Sequence, residues 1–150
     1  AYMMTNLLKE VITSGTGTRA AALNRPAAGK TGTTNDNFDA WFVGFTPNIV
    51  AAVWLGFDEA QSLGSHEEGG KASVPIWLEF MQKTLEGKPV LDFKMPDGIV
   101  SVSIDRKTGK LSNDKTVKPA IEVFKKGTEP TEVTNNSGTV KHSSDFFLDE

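Results

Sequence analysis

The chain has 150 residues, 38% of them hydrophobic, and its 16 basic and 19 acidic side chains give a formal net charge of -3. This length predicts one ordinary domain that buries about two thirds of its unfolded surface. The acidic balance argues against nucleic acid as a partner, and the absence of cysteine excludes disulfides, thiolate catalysis and cysteine-bound metals.

Two further absences narrow the range of functions. The histidines are only His66 and His142, which argues against a His-rich metal site or a Ser-His-Asp triad, so no metal or other cofactor is expected. No run approaches the roughly 18 apolar residues of a membrane helix, and the first residues do not resemble a signal peptide. Because the chain starts without methionine, inside a helical pattern, we expect it to be a piece of a longer protein.

The first predicted elements are a helix and a strand. Apolar residues recur at helical spacing from Tyr2 to Ile12, and the glycines of residues 14–17 end that run. A loop then leads through Pro26 to residues 27–34. This segment predicts a strand made of threonines, one lysine and small residues.

A hairpin is predicted next. Residues 40–45 and 49–56 are apolar and partly β-branched, and Thr46-Pro47-Asn48 between them has the chemistry of a turn. Because the two runs are almost continuously apolar, we expect their strands to be covered on both faces.

A second helix is predicted after a loop rich in glycine and acidic residues. Ser73 has the character of an N-cap, with Pro75 tolerated in the first turn, and Gly87 ends the helix. An apolar stripe for core packing is formed by Ile76, Trp77, Phe80, Met81 and Leu85. The order helix, three strands, helix predicts an α+β fold with an antiparallel sheet covered by helices.

The composition changes after Pro89. Residues 99–104 alternate with period two and predict a half-buried strand, and residues 106–109 predict a turn from which 110–112 return antiparallel. From Thr131 the chain is rich in Thr, Asn, Ser and Gly. The predicted divisions are therefore residues 1–88, a small β-rich extension at 89–130 and a flexible tail at 131–150.

Three short motif matches lack the structural context that their chemistry needs. Residues 15–20 fit a dinucleotide-binding glycine pattern but follow a helix, and residues 28–31 resemble the end of a phosphate-binding loop but continue as a strand. The S-x-x-K match at 112–115 lies in a polar turn, whereas a lysine-activated serine needs both residues one turn apart on a helix.

The triplet Lys-Thr-Gly occurs at 30–32 and at 107–109. The second copy lies in a charged turn and is interpreted as structural. The first lies in a strand, where period two places Lys30 and Gly32 on one face and Thr31 and Thr33 on the other. Two threonine hydroxyls could hold a carboxylate there and Lys30 could attract an anion. The alternative is a threonine-rich edge strand with a solvated lysine.

Several segments together resemble the transpeptidase domain of class A, bifunctional penicillin-binding proteins. The strongest matches are residues 28–36, 39–47 and 53–58, which include the first Lys-Thr-Gly and both tryptophans of the predicted hairpin. Shorter matches, with which the resemblance covers about residues 1–130, lie at 15–17, 69–70, 75–77, 104–109 and 127–130.

The resemblance implies a serine acyl-transfer mechanism with the motifs S-x-x-K, S-x-N and K-T-G. In such proteins Lys30 would assist proton transfer through the S-x-N serine and hold the anionic substrate. Thr31, Gly32 and Thr33 would bind the substrate, the two hydroxyls taking its carboxylate. The Thr33 N–H would also be one donor of the oxyanion hole. Peptidoglycan stem peptides and β-lactam antibiotics would be the ligands.

The sequence departs from this family because neither S-x-x-K nor S-x-N precedes Lys30. We therefore expect the nucleophilic serine on an upstream segment, and expect the 150 residues alone to be inactive and to form dimers through exposed strand edges. The expected location is the extracytoplasmic side of the inner membrane, with an N-terminal anchor outside this chain. The alternatives are a non-catalytic cell-wall interaction domain and another K-T-G serine enzyme such as a β-lactamase.

Overall fold

A computed structural model of the protein describes residues 1–59, 61–64, 69–116 and 118–134. The chain divides into two compact units, one of residues 1–97 and one that begins at Gly98. Helices and antiparallel sheets follow one another along the chain, which confirms the predicted α+β class. His66, His142 and residues 135–150 of the predicted tail lie outside the described residues.

The first helix, α1 (Tyr2–Thr13), is present as predicted, but only part of its apolar surface is covered. Ile12 is buried in the core, whereas Met3 and Leu7 are exposed. The segment after α1 was expected to be a loop and instead contains a 3-10 helix, Thr18–Leu23. Its last residue, Leu23, joins the core, and the segment packs against the two helices.

The central sheet has the order β1-β2-β3, with β1 (Ala28–Thr33), β2 (Asp39–Phe45) and β3 (Val50–Gly56) all antiparallel. The predicted hairpin is confirmed: the Thr46 N–H donates to the Ile49 carbonyl over 2.8 Å and closes the turn between β2 and β3.

The helices cover the sheet on one face, so the expectation of two covered faces is wrong for the described residues. Phe42 is fully buried and contacts the Trp77 ring edge-on, with ring centroids 5.1 Å apart. The intervening side chains of the hairpin point the other way because successive residues of a strand alternate between faces. That uncovered face is apolar and includes Trp41, Val43, Val50 and Trp54, which are 42%, 41%, 70% and 46% exposed.

The second helix, α2 (Gly69–Leu85), begins before Ser73, so the assignment of Ser73 as an N-cap is wrong. The serine is buried and its hydroxyl donates to the Ala40 carbonyl over 2.8 Å. The helix continues through Pro75, which has no N–H for the carbonyl of Lys71. Arg19 supplies the missing donor, since its Nη1 lies 3.1 Å from that oxygen.

The apolar stripe predicted for α2 divides between two environments. Trp77, Met81 and Leu85 are buried against the sheet, whereas Ile76 and Phe80 are 47% and 51% exposed. A stripe of five apolar residues is therefore wider than the contact that the three-stranded sheet offers.

Arg25 ties the end of α2 to the chain that follows. Its Nη2 donates to the carbonyls of Leu85 and Lys88 over 2.8 and 2.9 Å, and its Nη1 donates to that of Pro89 over 3.0 Å. Further along, the ring of Phe93 packs edge-on against Phe45. These contacts place residues 89–97 in the first unit, whereas the sequence pattern had divided the chain after residue 88.

The second unit contains an antiparallel pair, β4 (Ile99–Ile104) and β5 (Ala120–Lys125). The strand at β4 is confirmed, and β5 was missed by the sequence reasoning. The return at 110–112 is reduced to a single bridge between Leu111 and Ile104. Leu111 also bridges to Val133, so the first residues of the predicted tail are attached to this unit.

The cap formed by Arg25 gives a first prediction. Replacement Arg25→Ala removes three hydrogen bonds from a cation to carbonyls at a helix end, and should lower the free energy of unfolding by about 2 kcal/mol. Urea unfolding of the 150-residue chain measures this. The free energy of unfolding of Arg25→Lys should lie between that of Arg25→Ala and that of the unaltered chain, because an ammonium keeps the charge without the planar fork. Equal unfolding midpoints for Arg25→Ala and the unaltered chain would contradict the assignment.

Candidate active site

The first K-T-G triplet lies on β1, whose outer edge is free within the described part of the chain. The Thr34 N–H donates to the Asp39 carbonyl over 3.1 Å and fixes which pairs are hydrogen-bonded. Such pairs alternate in an antiparallel ladder, so the N–H and C=O groups of Thr31 and Thr33 are directed away from β2. The K-T-G strand therefore presents two donors and two acceptors to an incoming extended ligand.

Lys30 and Gly32 lie on the uncovered face of the sheet, opposite Val43 and Trp41 in the register. The Lys30 side chain is exposed, and its Nζ donates to the Thr31 carbonyl over 2.9 Å. A Cβ on Gly32 would lie 3.3 Å from the Cβ of Trp41, so glycine keeps this part of the strand open beside the tryptophan. The cation is thus held at the free edge.

The two threonine hydroxyls project to the covered face, and each has a partner within the protein. Thr31 Oγ1 lies 2.6 Å from Thr16 Oγ1, and Thr33 Oγ1 accepts a hydrogen bond from the Gly69 N–H over 3.2 Å. A hydroxyl that accepts one bond still has its proton to donate. Both threonines therefore keep hydrogen-bonding capacity toward a ligand.

The start of α2 is packed unusually close to β1 and β2. A Cβ on Gly69 would overlap the carbonyl oxygen of Trp41 and lie 2.7 Å from that of Gly32. A Cβ on Gly70 would overlap the Thr16 carbonyl oxygen. Glycine at both positions lets the helix begin against the K-T-G strand, where the Gly69 N–H reaches Thr33.

A tryptophan pair beside the triplet was missed as a unit by the sequence reasoning. Trp41 and Trp54 are cross-strand neighbours with ring centroids 6.3 Å apart and a tilt of 48°. The Trp54 Nε1 donates to Asp39 Oδ1 over 2.8 Å. The signal was available, since the two residues lie at matching positions of the predicted hairpin.

Lowered carboxyl pKa values occur on exposed glutamates of other elements. Hydrogen bonding and charge from Lys83 lower the pKa of Glu79 on α2, with the two groups 2.7 Å apart. In the second unit Lys110 does the same for Glu132, and the backbone N–H groups of Glu129 itself and of Gly127 lower the pKa of Glu129. None of these groups belongs to the K-T-G strand.

The second K-T-G triplet is part of a turn, as interpreted. Asp105 Oδ1 accepts from the Lys107 N–H over 2.8 Å, and its Oδ2 accepts from the buried Thr134 hydroxyl over 3.0 Å. Thr108 donates in turn to Thr134 over 3.3 Å. Gly109 has a φ of 69°, the left-handed conformation that glycine adopts without strain.

The remaining motif matches also lack their required context. Ser112 is not on a helix and its hydroxyl donates to Ser103 Oγ over 2.7 Å. Residues 28–31 lie within β1, and the glycines at 15 and 17 lead into only a short 3-10 helix. Within the described ranges there is no cluster of His, Asp and Glu suited to a metal ion. No described helix is both long and apolar enough to cross a bilayer.

Comparisons with known proteins converge on one family. The family model for the C-terminal domain of penicillin-binding protein 1A matches residues 95–138. Penicillin-binding protein 1A of Pseudomonas aeruginosa is 46% identical over 134 residues, which cover 89% of this chain and 16% of that protein. Penicillin-binding protein 1A of Aquifex aeolicus is 45% identical over 125 residues, which cover 83% of this chain and 17% of that protein.

A solved structure agrees with these sequence matches. The crystal structure of penicillin-binding protein 1A from Haemophilus influenzae superimposes with a TM-score of 0.79 at 35% identity, over 89% of this chain and 21% of that one. The chain therefore spans about a sixth of the length of the curated relatives that it matches.

The turn around Asp105 gives the second prediction. Thr134→Val removes a buried donor from the carboxylate and should lower the free energy of unfolding by about 2 kcal/mol, while Thr134→Ser retains the bond. Lys107→Ala should leave stability unchanged, because the hydrogen bond that Lys107 makes to Asp105 comes from its backbone N–H. Urea unfolding of the three variants measures the difference, and a loss as large in Lys107→Ala would contradict the assignment of this contact to the backbone of Lys107.

Proposed function

Because the chain belongs to the penicillin-binding protein 1A family, we propose that it is the C-terminal part of a serine D,D-transpeptidase. This enzyme cross-links peptidoglycan stem peptides and is acylated by β-lactams. The observation that carries the proposal is the free edge of β1, where the Lys30 ammonium, the Thr31 and Thr33 hydroxyls and the outward Thr33 N–H occur together. The second triplet gives the contrast that strengthens the proposal, because the same three residues lie there in a turn and not on a strand edge.

The chemistry assigned to this edge is recognition of an anion and stabilisation of a second, transient one. The terminal carboxylate of a stem peptide, or that of a β-lactam, accepts from the Thr31 and Thr33 hydroxyls, and Lys30 adds a favourable potential. The Thr33 N–H donates to the oxygen that becomes negative when the serine attacks. The nucleophile's own N–H is the other donor of this oxyanion hole.

The proposed reaction is an acyl transfer between two stem peptides through the serine, and it uses no cofactor. The serine oxygen attacks the carbonyl of the penultimate D-Ala, its proton passes to the departing amine, and terminal D-Ala leaves as the C–N bond breaks. An amine of a neighbouring stem peptide then attacks the serine ester and forms the C–N bond of the cross-link, while the acyl C–O bond breaks and the proton of the amine passes to the serine oxygen. Lys30 assists the proton transfers through the hydroxyl of the S-x-N serine.

The nucleophile is assigned to another part of the longer protein. The 150 residues contain no S-x-N triplet, and their single S-x-x-K, at 112–115, is not helical. The proposal therefore assigns both motifs to the segment upstream of residue 1. By itself the 150-residue chain binds neither stem peptide nor β-lactam covalently.

The two outer edges of the sheet suit different partners. The β1 edge carries Lys30 and threonines, whereas β3 carries the exposed Val50 and Trp54. We assign the apolar face of the sheet and the β3 edge to the upstream part of the same domain, because leaving both in water is costly. The substrate places the enzyme on the extracytoplasmic side of the inner membrane, held there by an N-terminal anchor of the longer protein.

Covalent labelling by a fluorescent penicillin tests the transpeptidase assignment. The longer protein should be labelled, and Lys30→Ala should slow labelling by about a hundredfold, within the range that proton transfer contributes. Lys107→Ala is the matched control and should label normally, since its triplet lies in the turn. The 150-residue chain should remain unlabelled.

Four outcomes of that experiment would overturn the proposal. An adduct on the 150-residue chain would place the nucleophile inside it. Equal labelling of the Lys30→Ala and Lys107→Ala variants would remove the role of the first triplet. Absence of labelling of the longer protein would favour a non-catalytic cell-wall interaction domain, and rapid hydrolysis of the adduct would instead indicate a β-lactamase.

The uncovered sheet face gives a further prediction about the isolated chain. Sedimentation of the 150 residues should show concentration-dependent dimers. In place of the upstream segment, a second copy of the chain would cover the apolar face and the β3 edge. Val50→Lys should shift the population to monomers. Ile121→Lys, at an equally exposed position of the second unit (71% against 70% for Val50), should not. A monomer at every concentration would contradict this.

A further inference from the structure

The G-T-G sequence at residues 15–17 has no part in the reaction described above, yet its threonine touches the K-T-G strand. Thr16 Oγ1 lies 2.6 Å from Thr31 Oγ1, a short distance for two hydroxyls. Either oxygen can be the donor. The contact links a loop to the side chain that the proposed function assigns to the ligand carboxylate.

The backbone around Thr16 is held on both sides. The Gly17 N–H donates to the Val11 carbonyl over 2.9 Å, and a Cβ on Gly15 would lie 2.8 Å from the Val11 Cα. On the opposite side the Thr16 carbonyl abuts Gly70, where a Cβ would overlap its oxygen. The loop is thus packed between the end of α1 and the start of α2, and the Thr16 hydroxyl is fixed against β1.

A parallel arrangement exists at the second threonine of the strand. The Gly69 N–H can only donate, so Thr33 Oγ1 must accept that bond and its own proton is free for another acceptor. At Thr31 the partner is a hydroxyl, which could donate or accept. A carboxylate accepts only, and it therefore selects the arrangement in which Thr31 donates to the ligand and accepts from Thr16.

We propose that Thr16 is a positioning residue for Thr31: it donates its proton to Thr31 Oγ1, so that the Thr31 proton points at the carboxylate of the bound ligand. This inference rests on the proposed function and extends it to a residue outside the K-T-G motif. Consecutive hydrogen bonds polarise one another, so the bond from Thr16 also strengthens the one that Thr31 makes to the anion. Both threonines then receive a hydrogen bond from the protein and give one to the ligand.

Because Thr16 is exposed, its positioning role can be distinguished from a contribution to the stability of the fold. Thr16 is exposed and Thr31 is half-buried, so water can reach the Thr16 hydroxyl. An exposed hydrogen bond of this kind contributes little to folding. Loss of the Thr16 hydroxyl should therefore alter recognition of the carboxylate without altering the stability of the fold.

The test is the rate of acylation of the longer protein by two β-lactams, one with a free carboxylate and its methyl ester. Thr16→Val should lower the second-order rate constant for the acid about tenfold and leave that for the ester unchanged. Thr16→Ser should restore the rate for the acid, because it keeps the hydroxyl. The control Thr18→Val, at an exposed position of the same segment, should react as the unaltered protein does.

A double-mutant cycle completes the test, since a residue that acts through Thr31 has nothing to add once Thr31 is lost. In a Thr31→Val background, Thr16→Val should cause no further decrease. Additive losses, an equal loss for the ester, or an unchanged rate in Thr16→Val would each overturn the inference while leaving the proposed function intact. If the unaltered longer protein is not acylated at all, the proposed function fails and the inference with it.

Discussion

The close approach of α2 to the sheet is the constraint on which the first unit depends. Gly69 begins the helix against the backbone of β1 and β2, at a distance that no side chain would permit. From that start, Ser73 donates to the Ala40 carbonyl and Trp77 donates to that of Gly44. The helix is therefore fastened to the middle strand by polar contacts as well as by the packing of Phe42 and Trp77. Any displacement of α2 would also release the Gly69 N–H from Thr33.

Two arginines from one segment make this helix possible. Arg19 donates to the carbonyl that Pro75 leaves without a partner, and Arg25 covers the carbonyls at the end of the helix. The 3-10 helix that contains Arg19 packs Leu23 into the core. Residues 18–25 thus link the G-T-G loop to the K-T-G strand along the chain and fasten α2 near its start and at its end.

The two Lys-Thr-Gly triplets show why a motif requires its surroundings. At 30–32 the residues lie on a strand edge, with a threonine behind Thr31 and a helix N-terminus behind Thr33. At 107–109 the same residue types form a turn beside the Asp105 carboxylate. The Thr108 hydroxyl there donates to Thr134, whose own hydroxyl donates to Asp105. The chemistry of each triplet follows from which neighbours its hydroxyl and N–H groups meet.

Local patterns in the sequence determined the helices, the hairpin, the strand at 99–104 and the K-T-G strand with Lys30, Thr31, Gly32 and Thr33, because period and turn chemistry act over a few residues. The true start of α2 could not be predicted from the local pattern. Pro75 is accepted within the helix because Arg19, a distant residue, donates to the carbonyl that the proline leaves without a partner. The pairing of β5 and the one-sided cover of the sheet also depended on partners far along the chain. The contact of Thr16 with Thr31 was decided by tertiary structure alone, because the loop at 14–17, the strand β1 and the start of α2 must all pack together before the two hydroxyls come within hydrogen-bond distance.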